Sequence, residues 1–192
     1  MGIILAISAF TLSCLFMIYG HKYFLKRNLI DPINSRSSHN SIATRSGGIA
    51  IYLTILVISI YYYLNQIEIF NYSLLVALSI LLIVGLYDDL NDVDFKLKFL
   101  FQIITAKILI DNGLVIDNFH GIIGINELNR VFAQVFSIFI IVAIINSINF
   151  IDGIDGLAAA IISIFIILFE FFAINQTSYS VLSLIILISF IP

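Results

Sequence analysis

Of 192 residues, 61% are hydrophobic and 11% are charged, and the formal net charge is −3. Soluble domains carry about 25% charged residues and nucleic-acid binders present a basic face, so this composition excludes both a soluble core and a nucleic-acid partner. Cys14 is the only cysteine, which rules out an intramolecular disulfide and a cysteine metal cluster.

In chain order the apolar segments run roughly 3–20, 47–64, 72–87, 97–110, 131–149, 157–174 and 178–192. Apolar runs of about 20 residues are read as transmembrane helices. The predicted fold is therefore all-α: a polytopic transmembrane helix bundle of about seven helices, forming a single domain over residues 1–192. The first segment is long, is weakly basic at its start and is followed by no small-residue cleavage site, so it reads as a retained helix. The fourth is short at its core, which suits a tilted or partly enclosed helix.

Lysine and arginine gather in cytoplasmic loops. Lys22, Lys26, Arg27, Arg36 and Arg45 follow the first segment, and Lys96 and Lys98 follow the third. Loops of the opposite set hold Asp111, Asp117 and Glu127, with Arg130 their basic residue. The bias places the N-terminus outside and the loops at 21–46, 88–96 and 150–156 in the cytoplasm.

Three polar blocks fall on that cytoplasmic side. In Gly85-Leu-Tyr-Asp88-Asp89, adjacent carboxylates repel each other and call for a cation or a proton. Oxygen ligands alone favour magnesium or manganese; a solvated loop start is the competing reading. Asp92 and Asp94 read as ordinary solvated charges. Asn146, Asn149, Asp152 and Asp155 recur at a spacing of three. Gly153 and Gly156 are expected to break the helix there, turning the two aspartates toward the membrane face. Polar groups at membrane depth point to function; helix-to-helix hydrogen bonding accounts for the two asparagines adequately but not for the Asp-Gly-x-Asp-Gly that follows. The remaining block holds Asp31, Arg36, His39 and Arg45 before Gly47 and Gly48. Arginine forks and a helix N-terminus suit a phosphate; setting topology and binding lipid headgroups suit the same arginines. His21 and His120 read as isolated.

Together these blocks resemble the polyprenyl-phosphate N-acetylhexosamine-1-phosphate transferases over about residues 20–160. The D-x-P-N-x-R-x-x-H and R-x-G-G patterns are met by Asp31, Asn34, Arg36, His39, Arg45, Gly47 and Gly48, with the proline displaced to Pro32. G-x-x-D-D, a basic residue and then Q are met by Gly85, Asp88, Asp89, Lys98 and Gln102. N-x-x-N-x-x-D-G-x-D-G-L-A is met from Asn146 to Ala158. The resemblance implies transfer of a sugar-1-phosphate from a UDP-sugar to undecaprenyl phosphate, with release of UMP, to start a cell-envelope glycan. It implies Asp88 and Asp89 as catalytic residues. It implies Arg36, His39, Arg45, Lys98, Asn146 and Asn149 as substrate-binding, and Asp152 and Asp155 as ligands of magnesium, with manganese the alternative ion. It places the protein in a bacterial inner membrane with its site on the cytoplasmic face, in contact with lipid, and makes a homodimer the candidate assembly.

Relatives of this kind carry a further aspartate block beyond the position of Pro192. The chain is therefore expected to be truncated at its C-terminus and inactive alone. The alternatives are a non-catalytic fragment or assembly partner and a cation transporter. Transport calls for acids near the bilayer midplane, where only Lys107 and Glu170 lie within helical segments.

Overall fold

The computed structural model describes residues 2–29, 44, 46–91, 93–152, 156–172 and 177–191. Among these residues the chain is all-helical: α1 (Gly2–Lys26), α2 (Gly47–Leu64), α3 (Leu74–Asn91), α4 (Phe95–Asp111), α5 (Arg130–Ile151), α6 (Leu157–Phe172) and α7 (Thr177–Ser189). A segment in hydrocarbon must satisfy its own backbone, and a helix does so within itself. Four helices, α1, α2, α3 and α5, are long and apolar enough to cross a membrane, which makes this a multi-pass membrane protein. α6 has 16 residues, about 24 Å at 1.5 Å per residue against a hydrocarbon core of about 30 Å.

The helices outrun the apolar segments where polar residues continue them. α1 reaches Lys26, past the end of its apolar run, and Arg27 lies over the Tyr23 ring at 5.7 Å. Aromatic rings and long basic side chains both suit the membrane–water boundary. α3 likewise contains Asp88 and Asp89 and ends only at Asn91. Asp94 caps α4, accepting from the Lys96 backbone N–H at 3.2 Å. It is a helix N-cap and stays exposed, as expected of a solvated charge.

The contacts separate two compact units, Met1–Asn71 with Ile151–Pro192, and Tyr72–Phe150. In the first, α1 packs on α2 and α7, α2 on α7, and α6 on α7. The buried positions of α1 are Leu5, Ala9 and Ser13, spaced by four, and those of α2 include Ala50, Thr54 and Ser59. Lipid offers no hydrophobic drive for helix pairing, so small residues that permit close approach take that role. Ser13 Oγ donates to the Ser189 carbonyl at 2.9 Å and joins α1 to α7. Thr54 and Ser59 return their hydroxyls to the carbonyls of Ala50 and Ile55.

In the second unit α3 and α4 form an antiparallel hairpin pinned at both ends. Ser73 Oγ donates to Asn112 Oδ1 at 2.5 Å at one end, and Lys98 Nζ to Asp88 Oδ2 at 2.5 Å at the other. α5 runs back antiparallel to α4. The Ile116 N–H donates to Ser137 Oγ at 2.8 Å near the start of α5, and Gln102 meets Asn146 near its end.

Ser13→Leu, which forces a branched side chain into the α1–α7 contact, is expected to lower stability by about 1–3 kcal/mol. Ser13→Ala, which removes one interhelical hydrogen bond, is expected to lose only about 0.6 kcal/mol. Thermal unfolding in detergent, followed by circular dichroism, separates the two.

Candidate functional site

The hairpin places two of the sequence-predicted residues in contact. Asp88 lies in the last turn of α3 and Lys98 in the first turn of α4, so the short connection between them folds the carboxylate onto the ammonium. Side-chain exposure is 25% for Asp88 and 30% for Lys98, so both remain open to a ligand while held by each other. The helix C-terminus carries partial negative charge and disfavours carboxylates by about 0.3–1 kcal/mol each. Local stability therefore does not account for two of them at this end. Lys98 supplies one compensating charge, and Asp89 stands exposed on the next position. Gly85 lies one turn earlier on the same face, and a Cβ there would meet no atom within 4 Å. Open space thus borders the acidic pair.

Beside the pair runs an apolar groove of about 330 Å³, lined by Ile80, Ile83, Val84 and Tyr87 of α3, by Val93, and by Leu97 and Phe101 of α4. The α3 residues follow the spacing of one helical face, and Tyr87 and Leu97 immediately precede Asp88 and Lys98. A charged head position and an apolar channel therefore share the same pair of helices.

Asn146 is committed to the fold. Its Nδ2 donates to Gln102 Oε1 and to the Val142 carbonyl, both at 2.8 Å, and its Oδ1 accepts from Gln102 Nε2 at 3.4 Å. Gln102 is 3% exposed, so its amide depends on this partner. Asn149, one turn on, is exposed. α5 stops at Ile151, Asp152 is exposed beyond it, and α6 resumes after Gly156, whose φ of 72° is the left-handed conformation that glycine adopts without strain. The expected helix break is present. Asp155, with Arg36, His39 and Arg45, lies outside the described residues.

His21, read as isolated, has a partner: its Nδ1 is 2.9 Å from Thr44 Oγ1, which is 2.9 Å from Ser46 Oγ. The sequence held no signal for this pairing across the 21–46 loop. Lys107 pairs with Asp111 one turn along α4. Among the described residues, no three acidic, histidine or cysteine side chains converge as a metal cage. Glu170 Oε1 is buried in α6 without a hydrogen-bond partner among them.

A multi-pass helical membrane protein with an acid–base pair at the head of an apolar groove is the class that fold and site define. The model of Glycosyl transferase family 4 matches residues 71–192, more than half of the chain, and the chain belongs to that family. The match takes in Asp88, Asp89, Lys98, Asn146, Asn149, Asp152 and Asp155, and begins after the Arg36–Arg45 block. No curated protein and no solved structure matches the chain.

Asn146→Ala strands the buried Gln102 amide and is expected to cost about 1–3 kcal/mol. Asn149→Ala, at an exposed position, is expected to stay within about 0.5 kcal/mol. The paired change Gln102→Leu with Asn146→Leu should recover most of the loss, because no polar group is then left unpaired. Chemical or thermal unfolding in detergent measures all three.

Proposed function

We propose that the chain transfers N-acetylhexosamine-1-phosphate from a UDP-sugar to undecaprenyl phosphate and releases UMP. The observation that carries this reading is the Asp88–Lys98 pair at the head of the α3–α4 groove. The acceptor couples a phosphate to a long isoprenoid, and the site couples a charged end to an apolar channel. The tail is assigned to the groove between Ile80 and Phe101, and the lipid phosphate to the position beside Lys98.

In the proposed reaction an oxygen of the lipid phosphate attacks the β-phosphorus of the UDP-sugar. The new P–O bond forms as the bond from that phosphorus to the bridging oxygen breaks, and UMP leaves with that oxygen. Asp88 accepts the proton of the lipid phosphate. Lys98, held against Asp88, places positive charge where phosphate oxygens gather, the form of stabilisation that phosphoryl transfer depends on. Asn149, with Arg36, His39 and Arg45, is assigned to the nucleotide sugar.

The donor chemistry fits magnesium. Magnesium is bound through one or two carboxylates together with substrate phosphates and water, not by an all-protein cage. Asp89, exposed at the negative end of a helix dipole, suits that mode, and the family resemblance names Asp152 and Asp155 as magnesium ligands. When bound, the ion would neutralise diphosphate charge. On this reading the protein lies in a bacterial inner membrane with the site on the cytoplasmic face, where nucleotide sugars are found.

Membranes containing the chain together with the C-terminal half of a family member, supplied with UDP-N-acetylhexosamine, undecaprenyl phosphate and magnesium, are expected to release UMP. Asp88→Asn should lower the rate about 10²–10⁴-fold, the usual contribution of a positioned proton acceptor. Nucleotide release that is indifferent to undecaprenyl phosphate, or undiminished in Asp88→Asn, would overturn the assignment. A bulky change inside the groove, Ile83→Trp, should raise the apparent KM for the lipid and leave that for the UDP-sugar unchanged.

A further inference from the structure

The α4–α5 connection carries an apolar tip at the end of the second unit opposite Asp88 and Lys98. Asn118 and Glu127 form an antiparallel bridge, and a tight turn over Ile122–Gly124 joins the two arms. Ile122 is 66% exposed and Ile123 87% exposed. Loop tips that face water are usually polar, with Gly, Asn, Asp or Ser at the bends. Here Ile123 has a φ of 57°, an outlier for a β-branched residue, so the turn holds an isoleucine outward at a conformational cost.

The connection does not stand away from the membrane. Phe119 packs edge-on against Phe136, with ring centroids 5.4 Å apart, and the Ile116 N–H reaches Ser137. Phe136 lies six residues after Arg130, where α5 starts, or about 9 Å down its axis. Val131, Phe132 and Val135 are exposed on the first two turns of that helix, so those turns already face lipid. The first arm thus lies alongside a stretch of α5 at bilayer depth. Interfacial elements bury their apolar face by about 5–10 Å.

The backbone of the turn is suited to such a place. Phe119 donates to Asn126, Gly121 to Ile125, Ile122 to Phe119, Gly124 to Gly121 and Ile125 to Ile122, and at the base Leu128 donates to Asp117. A segment that enters hydrocarbon must meet its own hydrogen-bonding needs, and these six bonds meet a large part of them within the hairpin. Its charged residues, Asp117, Glu127 and Arg130, sit at the base, away from the isoleucines.

We infer that the 117–128 hairpin is a membrane-dipping anchor whose Ile122 and Ile123 insert into the interfacial layer of the lipid surface around α5. Inserted there, the tip sets the depth of the α4–α5 pair, which carries Lys98 at its other end. The inference stands independently of the transferase reading.

The chain has no tryptophan, so a single one reports on the tip. Ile122→Trp and Ile123→Trp are reconstituted into phosphatidylcholine–phosphatidylglycerol vesicles. The expected result is blue-shifted emission, strong quenching by phosphatidylcholine brominated near the top of its acyl chains, and weak quenching by aqueous iodide. Iodide quenching without bromolipid quenching puts the tip in water and overturns the inference. Resistance to both quenchers puts it under protein, such as a second copy of the chain, and overturns it equally. If tryptophan disturbs the turn, Cys14→Ser with Ile123→Cys provides the second measurement. Reaction with a membrane-impermeant maleimide should be slow in vesicles and rapid in detergent, and equal rates in the two would sink the idea.

Discussion

The α3–α4 hairpin is the element on which the site depends, and the ion pair at its closed end sets its register. A carboxylate in the last turn of one helix and an ammonium in the first turn of the next meet only if the connection is short and the helices run antiparallel. The Ser73–Asn112 hydrogen bond at the open end imposes the same register. Between these two pins α3 and α4 leave an apolar groove toward the Asp88–Lys98 end, while the buried residues Leu74, Ala77, Ala106 and Ile110 lie toward the other. A charge pair of this kind, part-exposed and screened by water, adds little to stability. Its value lies in where it puts the two groups.

Polar side chains elsewhere divide by the same logic. Three of the buried ones tie separate segments together: Ser13 on Ser189, Gln102 on Asn146, and Ser137 on the backbone of Ile116. Each is an amide or hydroxyl, able to bury without carrying charge. The acids, in contrast, lie at helix ends or in the connections, where water and ligands reach them, with Glu170 the exception among the described residues. Asn146 and Asn149 show the division within one repeat of the sequence. One is locked into the α4–α5 contact and the other is open, although both occupy the same pattern of polar residues.

This division bears on how the family's reaction is read in this chain. Under the proposed reading a chemical role fits Asp88, Asp89 and Lys98 at the head of the groove, and Asn149, which is exposed on α5. A positioning role fits Gln102 and Asn146, which hold the end of α5 that leads into the Asp152 region. The hairpin at the opposite end of the same helices bears on the depth at which that head region sits.

The sequence by itself determined the membrane class, the seven helical segments and the helix break before α6. Each follows from local chemistry: unbroken apolar runs must become helices in lipid, and glycine beside aspartate interrupts them. It also singled out Asp88, Asp89 and Lys98, because charges at the margin of an apolar run stand out. Tertiary structure alone decided which of these touch. No spacing along the chain revealed that Lys98 closes on Asp88, that Asn146 is consumed by Gln102, or that His21 meets Thr44. Helix ends depart from the apolar segments for the same reason: the Asp pair continues α3, and Asp94 caps α4. Hydropathy marks where lipid ends, whereas the backbone follows its hydrogen bonds past that boundary. Contacts between residues ten to forty-four positions apart depend on how helices pack, and packing is not written in the period of any one of them.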